Sequence, residues 1–344
     1  LATIWLLALS TTLSAYFILA ANAFMQNPVG YELNPETGRA ELVDIWAVLT
    51  NPVALAQFPH TIFASVMFGA VVLVAVAAYH LSRGQYVDEM RTALRFGLIA
   101  NIVMFAGVAI SGDQLSIVMT QTEPMKMAAA EALYNTTSGA SFSVFSLGTP
   151  DGSSEIFSIR VPYLLSFLST QDIFGEVEGI NDLQAQYVTQ FGPGDYTPII
   201  WVTYWSFRWM IGLGALAALV SVVGLWLTRG GREPAGWAWK VAIWAAPLPM
   251  LASLVGWIFT EMGRQPWIVF GLMLTEDGVS PGVAGWEVLL SLIAFTLIYG
   301  ALAVVEFRLI VRAAVDGPKD WAKYSESGRD TSGPVDPAKL ATIY

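Results

Sequence analysis

Six long apolar runs constrain this chain more than anything else in it. They cover about residues 1–24, 58–82, 93–112, 200–228, 238–262 and 287–313. Each reaches the roughly 20 mostly apolar residues that a helix needs to cross a bilayer. None alternates as a barrel strand would over about 10 residues. The expected fold is an all-α integral membrane bundle with six spans. Composition agrees: 55% of the 344 residues are hydrophobic and 13% charged, against about 25% charged in soluble domains. The chain has no cysteine, which excludes disulfides, thiolate metal sites and cysteine nucleophiles. Its net charge of −10 argues against nucleic acid, which needs a basic surface. Two histidines, His60 and His80, leave no room for a multi-histidine metal cage.

The runs divide the chain into three spans (1–112), a long loop (113–199), three more spans (200–313) and a tail (314–344). Basic residues set the expected orientation. Arg83, Arg91 and Arg95 flank one short turn, and Arg229, Arg232 and Lys240 flank another. Arg308, Arg312, Lys319, Lys323, Arg329 and Lys339 lie at or beyond the last span. The opposite side holds Arg39, Lys126, Arg160 and Arg264. The positive-inside rule then makes the short turns and the C-terminus cytoplasmic and the loop extracytoplasmic. That loop is acidic (Asp151, Glu155, Asp172, Glu176, Glu178, Asp182, Asp195) and opens on a short helix-forming stretch, Pro124 to Tyr134. Gly148 to Gly152 reads as a turn. Pro247 and Pro249 predict a kink in the fifth span. The first run lacks a basic n-region and a cleavage site, so it does not read as a signal peptide, and a preceding segment is expected to be missing.

A carboxylate at the end of a span is costly without a partner, and Glu261 closes the fifth. Trp257 shares its face and Arg264 follows three residues on. Glu261 and Arg264 read equally as a helix-end ion pair or as a cofactor-iron ligand beside an anion holder. His60, at the outer end of the second span, reads as an interfacial hydrogen-bonded histidine or as an axial haem ligand. His80, at the inner end, faces the cytoplasmic headgroups and reads as structural. Met210 alone would be core filler, but Arg208 beside it inside an apolar span needs an anion, and a histidine–methionine pair is a low-spin haem set. Trp201, Trp205 and Trp209 form one stripe, either an interface belt or cofactor packing. Lys126 and Glu131 read as a solvated charged face or as a polar pocket for a diffusible head group. Asn22 is a cap, a packing hydrogen bond or a proton-path member, and Asn27-Pro28 stops the first span. Glu306 and Arg308 read as a local ion pair or snorkelling groups. His60, Met210 and Glu261 all fall in the outer half of the membrane, and unrelated residues would not be expected to gather at one depth.

G-R-Q-P-W at Gly263–Trp267 resembles a signature of cytochrome bd quinol oxidase subunit I. The resemblance extends through Ala21–Pro28, Asn51–Ala54, Pro59–Thr61, Pro124–Glu131 and Phe207–Met210, in the family's order. It implies that His60 and Met210 are the iron ligands of a low-spin haem b, with Arg208 near its propionates. It implies Glu261 on a high-spin haem b iron, Trp257 against the haems, and Arg264 on a propionate. Lys126 and Glu131 match quinol-site residues of the family's loop, and Ser14 and Asn22 match polar positions around the haems or proton path. The loop motif departs from the family's Q-P-M-K, reading E-P-M-K at Glu123–Lys126. The family has nine spans, so the resemblance also implies three further ones, carrying the haem d ligand, on a segment missing ahead of residue 1.

The function so implied is a subunit of an electrogenic terminal oxidase in a bacterial or archaeal plasma membrane. Quinol is oxidised at the outer face, and electrons pass through two haem b groups to haem d, where O2 becomes water, without a separate proton pump. Expected partners are a second large membrane subunit (subunit II), small single-helix subunits, lipid, quinol and O2, with no nucleic acid. Two other readings stand beside it: a haem b anchor of a quinone-linked dehydrogenase, and a haem-free transporter.

Overall fold

The computed structural model describes residues 2–149, 152 and 154–318. The tail beyond 318, with Lys319, Lys323, Arg329 and Lys339, lies outside them, as do Asp151 and part of the turn expected at 148–152. Six helical segments among the described residues are long and apolar enough to cross a membrane, as the sequence predicts.

The first span is α1 (Ala2–Gln26). A short hairpin of β1 (Tyr31–Leu33) and β2 (Ala40–Leu42) follows, then α2 (Ile45–Leu49). The second span, α3 (Pro52–Leu81), starts earlier than the apolar run. Asn51 caps it by accepting from Val53 N–H, and Pro52 occupies its first turn, where a missing N–H costs nothing. The third span, α4 (Val87–Thr122), runs ten residues past the expected end at 112. Residues 113–122 are polar in composition, yet Met119 packs into an apolar cluster with Met127 and Leu133, so helical burial carries the helix on. Glu123 then turns extended (φ −139°, ψ 64°), as a residue before proline does, and Pro124 opens α5 (Pro124–Glu131).

The rest of the loop is small structure folded on α5. It comprises β3 (Thr137–Ser138), β4 (Phe142–Gly148), β5 (Glu155–Val161), α6 (Leu164–Thr170), β6 (Glu176–Val177) and α7 (Ile180–Phe191). β4 and β5 form an antiparallel hairpin, and β3 pairs with β6. The fourth span is α8 (Ile200–Leu227). The fifth is broken into α9 (Gly236–Trp244) and α10 (Leu248–Met262) at Ala245–Pro247, which places the predicted proline kink. After β7 (Trp267–Val269) and β8 (Met273–Leu274) this unit ends near Pro281. A second unit holds α11 (Gly285–Asp316), which buries none of its residues against its own unit. The ion pair found on it joins Arg312 to Asp316, not Glu306 to Arg308.

Within the first unit α3 packs along α4, and α8 against α10 and α4. Asn101 ties α4 to α8, donating to Ala217 O (2.9 Å) and Ser221 Oγ (2.7 Å), as interhelical polar groups do in membranes. At the loop end, α5 buries all of Met125 to Glu131 among α4, α7 and α8.

Candidate functional site

The loop end of the bundle gathers ionisable groups that are almost wholly buried. Lys126 is 3% and Glu131 1% exposed, so the solvated-face reading of this pair is wrong. The two share α5 but not a partner. Lys126 Nζ donates to Gln26 Oε1 (2.8 Å) and Glu123 Oε2 (3.0 Å). Its stem passes Gly263, where an added Cβ would sit 2.7 Å from Lys126 Cγ; the glycine that opens G-R-Q-P-W is what admits the lysine.

From Gln26 the hydrogen bonds continue. Gln26 Nε2 donates to Asn22 Oδ1 (2.6 Å), and Asn22 Nδ2 donates to Glu261 Oε1 (2.9 Å). Arg264 Nη2 reaches Glu261 Oε2 at 2.5 Å. One polar chain therefore joins Glu123, Lys126, Gln26, Asn22, Glu261 and Arg264. Asn22 bonds to Glu261 and Gln26, while Ser14 is exposed on α1.

The other face of α5 carries a second cluster. Arg208 Nη2 lies 2.7 Å from Glu131 Oε1. Ser143 N–H donates to Glu131 Oε2 (2.9 Å), and Ser143 Oγ meets Tyr204 Oη (2.9 Å). The guanidinium also lies over the Phe142 and Tyr204 rings, 4.5 and 4.8 Å from their centroids. Burial pushes the Glu131 carboxyl above the usual carboxylate range, against Arg208, which pulls it down. Burial likewise raises Glu123, opposed by Lys126 and Arg264.

His60 places Nδ1 3.1 Å from Val108 O and 3.3 Å from Ser111 Oγ. A carbonyl only accepts, so Nδ1 carries the hydrogen and Nε2 keeps a lone pair free for a metal. The α4 backbone approaches at Gly112, where a Cβ would sit 3.3 Å from His60 Cε1. Met210 faces Gly256 of α10, where a Cβ would lie 2.7 Å from its sulfur. His80 corrects the expectation of a headgroup-facing residue: it is fully buried, between Tyr79 and Tyr86, with Nδ1 3.1 Å from Gln85 Oε1. Of the tryptophan stripe, Trp201 and Trp209 are exposed while Trp205 packs on Phe145. Trp257 is about half exposed.

Residues 1–318 match the family described as cytochrome bd terminal oxidase subunit I. The chain belongs to that family. It is 39% identical over 317 residues to cytochrome bd ubiquinol oxidase subunit 1 of Bacillus subtilis, covering 91% of this chain and 67% of the relative. It is 27% identical to cytochrome bd-II ubiquinol oxidase subunit 1 of Escherichia coli, over 91% of this chain and 72% of that one. The bd oxidase structure from Geobacillus thermodenitrificans superposes with a TM-score of 0.78 at 29% identity, over 90% of this chain and 69% of that one. Membership makes the chain part of a terminal oxidase, a haem-carrying oxidoreductase of the respiratory chain, and sets aside the dehydrogenase-anchor and transporter readings.

A cytochrome bd subunit must hold haem, and the residues present fit one. Arg208 Nε and Nη1 and Arg264 Nε and Nη1 are buried without hydrogen-bond partners, which an acidic substituent would satisfy. His60 offers a bare Nε2, and two glycines leave backbone against His60 and Met210. Sequence reasoning assigned no role to Gln26, Glu123, Ser143, Tyr204 or Trp267 at this end; Gln26 and Trp267 lie within motifs that carry the resemblance and Glu123 departs from one, while Ser143 and Tyr204 carried no signal.

Proposed function

We propose that this chain is the quinol-oxidising subunit of a cytochrome bd quinol oxidase, and that its loop end is the extracytoplasmic face. The observation that carries the reading is the pair of ionic clusters that meet α5, each containing a buried arginine with unpartnered N–H groups. Burying such charges is expensive. A site that must hold an anionic cofactor and move protons accounts for both.

In this reading His60 and Met210 ligate one haem iron and Glu261 a second, with Arg208 and Arg264 holding propionates and Trp257 packed beside them. The bound haems supply electron transfer from quinol towards haem d, where O2 is reduced to water. Held by both His60 and Met210, the first haem would serve electron transfer, whereas one held by Glu261 alone would remain able to take a further ligand. The protein's own residues do the rest. Lys126 orients the quinol head group, and the buried Glu131 accepts a proton as the quinol is oxidised, releasing it on the loop side. Protons for water come from the opposite side, so the reaction is electrogenic without a pump. The subunit II partner and small subunits cover spans whose apolar faces are exposed in this chain.

The test is the optical spectrum of the assembled oxidase with His60→Ala. The low-spin haem b bands should vanish while the other haem bands remain. Retention of those bands would remove His60 as a ligand. Lys126→Leu and Glu131→Leu should impair quinol oxidation with haem content intact.

A further inference from the structure

The end of the bundle away from the loop has a groove of about 200 Å³ between α4, α8 and α9. α4 contributes Leu94 and Leu98, and α8 the stretch from Leu219 to Thr228. Gly224 lets these two helices approach, since a Cβ there would sit 3.0 Å from Leu98 Cδ2. The lining is apolar, and its one hydroxyl, on Thr228, donates to Gly224 O (2.8 Å). A hydrophilic ligand finds little here. None of the lining residues belongs to the polar chain through Lys126 or to the Arg208 cluster.

Its dimensions select a chain. From Thr228 to Leu219 the groove follows α8 for about 14 Å at 1.5 Å per residue. That is close to one leaflet of a hydrocarbon core about 30 Å thick. One turn of a helix, about 10 Å across and 5.4 Å long, takes up roughly 400 Å³, too much for this groove. A single hydrocarbon chain fits where a partner helix does not. Charge selects the head group. Arg229 follows Thr228 directly, with its guanidinium 4.9 Å over the Trp226 ring. Arg232 lies two residues before Pro234, which lines the groove. Arg91, Arg95 and Lys240 add positive charge around this end, against Asp88, Glu89 and Glu233. Arg91 takes Glu233 at 3.1 Å, and among the described residues no ion pair engages Arg229 or Arg232. Basic turns by themselves set only orientation; these border an apolar groove one leaflet deep.

We propose that this groove seats one acyl chain of an anionic phospholipid, with Arg229 and Arg232 holding its phosphate. The planar guanidinium fork matches two phosphate oxygens. A quinone tail would fit the groove as well, but its neutral head leaves both guanidiniums unpaired. In a zwitterionic lipid the ammonium offsets the phosphate and weakens the attraction. In the orientation given above the lipid comes from the cytoplasmic leaflet, whose anionic head groups attract basic segments beside the membrane. The lipid also supplies packing that the chain lacks. α9 is nine residues long, has no fully buried residue of its own and is broken from α10 at Ala245–Pro247. An acyl chain between α9, α8 and α4 covers apolar side chains of all three.

The experiment places the assembled oxidase in phosphatidylcholine vesicles with a trace of phosphatidylglycerol carrying a photoreactive acyl chain, and maps the peptides labelled on irradiation. The α8 and α9 peptides of the groove should take the label. Photoreactive phosphatidylglycerol should label them about 25-fold more than photoreactive phosphatidylcholine, because each basic residue beside an anionic head group contributes about fivefold. Arg229→Gln combined with Arg232→Gln should bring that ratio near one with the haem spectrum unchanged. Ala238→Phe, which fills the groove, should remove the groove label from both lipids and leave that on the exposed α11. If Ala238→Phe does not assemble, Val223→Phe fills the same groove. Equal labelling by the two lipids in the wild type, or a ratio that survives the double glutamine variant, overturns the head-group site. Groove peptides that stay unlabelled while α11 is labelled show a protein segment in the groove and overturn the proposal. So does a groove label displaced by a long-chain quinone and not by unlabelled phosphatidylglycerol.

Discussion

The two faces of α5 carry carboxylates in opposite conditions. Lys126 and Glu131 are five residues apart, about 140° around a helix of 3.6 residues per turn, so each meets a different set of neighbours. Glu131 is closed: Arg208 sits at one oxygen and Ser143 N–H at the other. Glu123 pairs to Lys126 through Oε2 and, among the described residues, no hydrogen bond is found at its other oxygen. The reach of the two clusters differs as well: Glu131 meets Arg208 and Ser143 directly, whereas from Glu123 the bonds run through Lys126, Gln26 and Asn22 to Glu261. The same helix thus carries a compact ionic brace on one side and the start of a longer polar chain on the other.

The largest effect should come from the closed face. Arg208→Ala leaves Glu131 as a buried charge without its partner, which costs about 3–5 kcal/mol. The thermal midpoint of the purified complex measures it. The sign with pH follows from the raised Glu131 carboxyl. A carboxyl whose folded value lies above its unfolded one contributes stability in acid and loses it as pH rises through the folded value. Without Arg208 that value climbs further, so the deficit of Arg208→Ala should shrink towards acid pH. Adding Glu131→Gln should recover most of it, because a neutral amide needs no counter-charge. A deficit that stays constant with pH and is additive in the double variant would break the picture of Glu131 as closed by Arg208.

On the open face the expected effect is smaller. Gln26 bridges Lys126 to Asn22 and is itself buried. Gln26→Leu keeps the volume but strands two hydrogen-bond partners, each of which costs about 1–3 kcal/mol when buried unpaired. Lys126 retains Glu123 and Asn22 retains Glu261, so the total should stay near the lower figure. A loss as large as that of Arg208→Ala would show that this chain, too, is a structural brace.

How far this was legible in the sequence depends on the range of the interaction. The spans follow from runs of apolar side chains, and the break near Pro247 and the start of α5 at Pro124 follow from one ring each. The burial of Lys126 and Glu131 did not follow. On an isolated eight-residue helix they read as a solvated face, and only the folding of α7 and α8 over α5 removes them from water. Gln26 and Glu261, 235 positions apart, meet through Asn22 only because α1 and α10 end at the same depth. Glu123 stood out as a departure from a motif, but its free oxygen and the unpartnered Trp267 Nε1 are facts of three-dimensional packing.

The opposite end of the bundle supplies the control. Arg91 reaches Glu233 at 3.1 Å, close to the 3.0 Å of Lys126 to Glu123. Yet the two side chains are 45% and 81% exposed, so water solvates each charge whether or not the other is present. Neither α4 nor the short turn before α9 depends on the contact, since Asp88 and Glu89 already sit in the first turn of α4, where the helix dipole favours them. Arg91→Ala should therefore shift stability by less than about 0.5 kcal/mol, within the range of exposed pairs, and the shift should fade further in high salt. Measured beside Arg208→Ala in the same detergent, it separates geometry from burial. If the two substitutions cost alike, desolvation is not what distinguishes the loop end, and the contrast between the faces of α5 loses its physical basis.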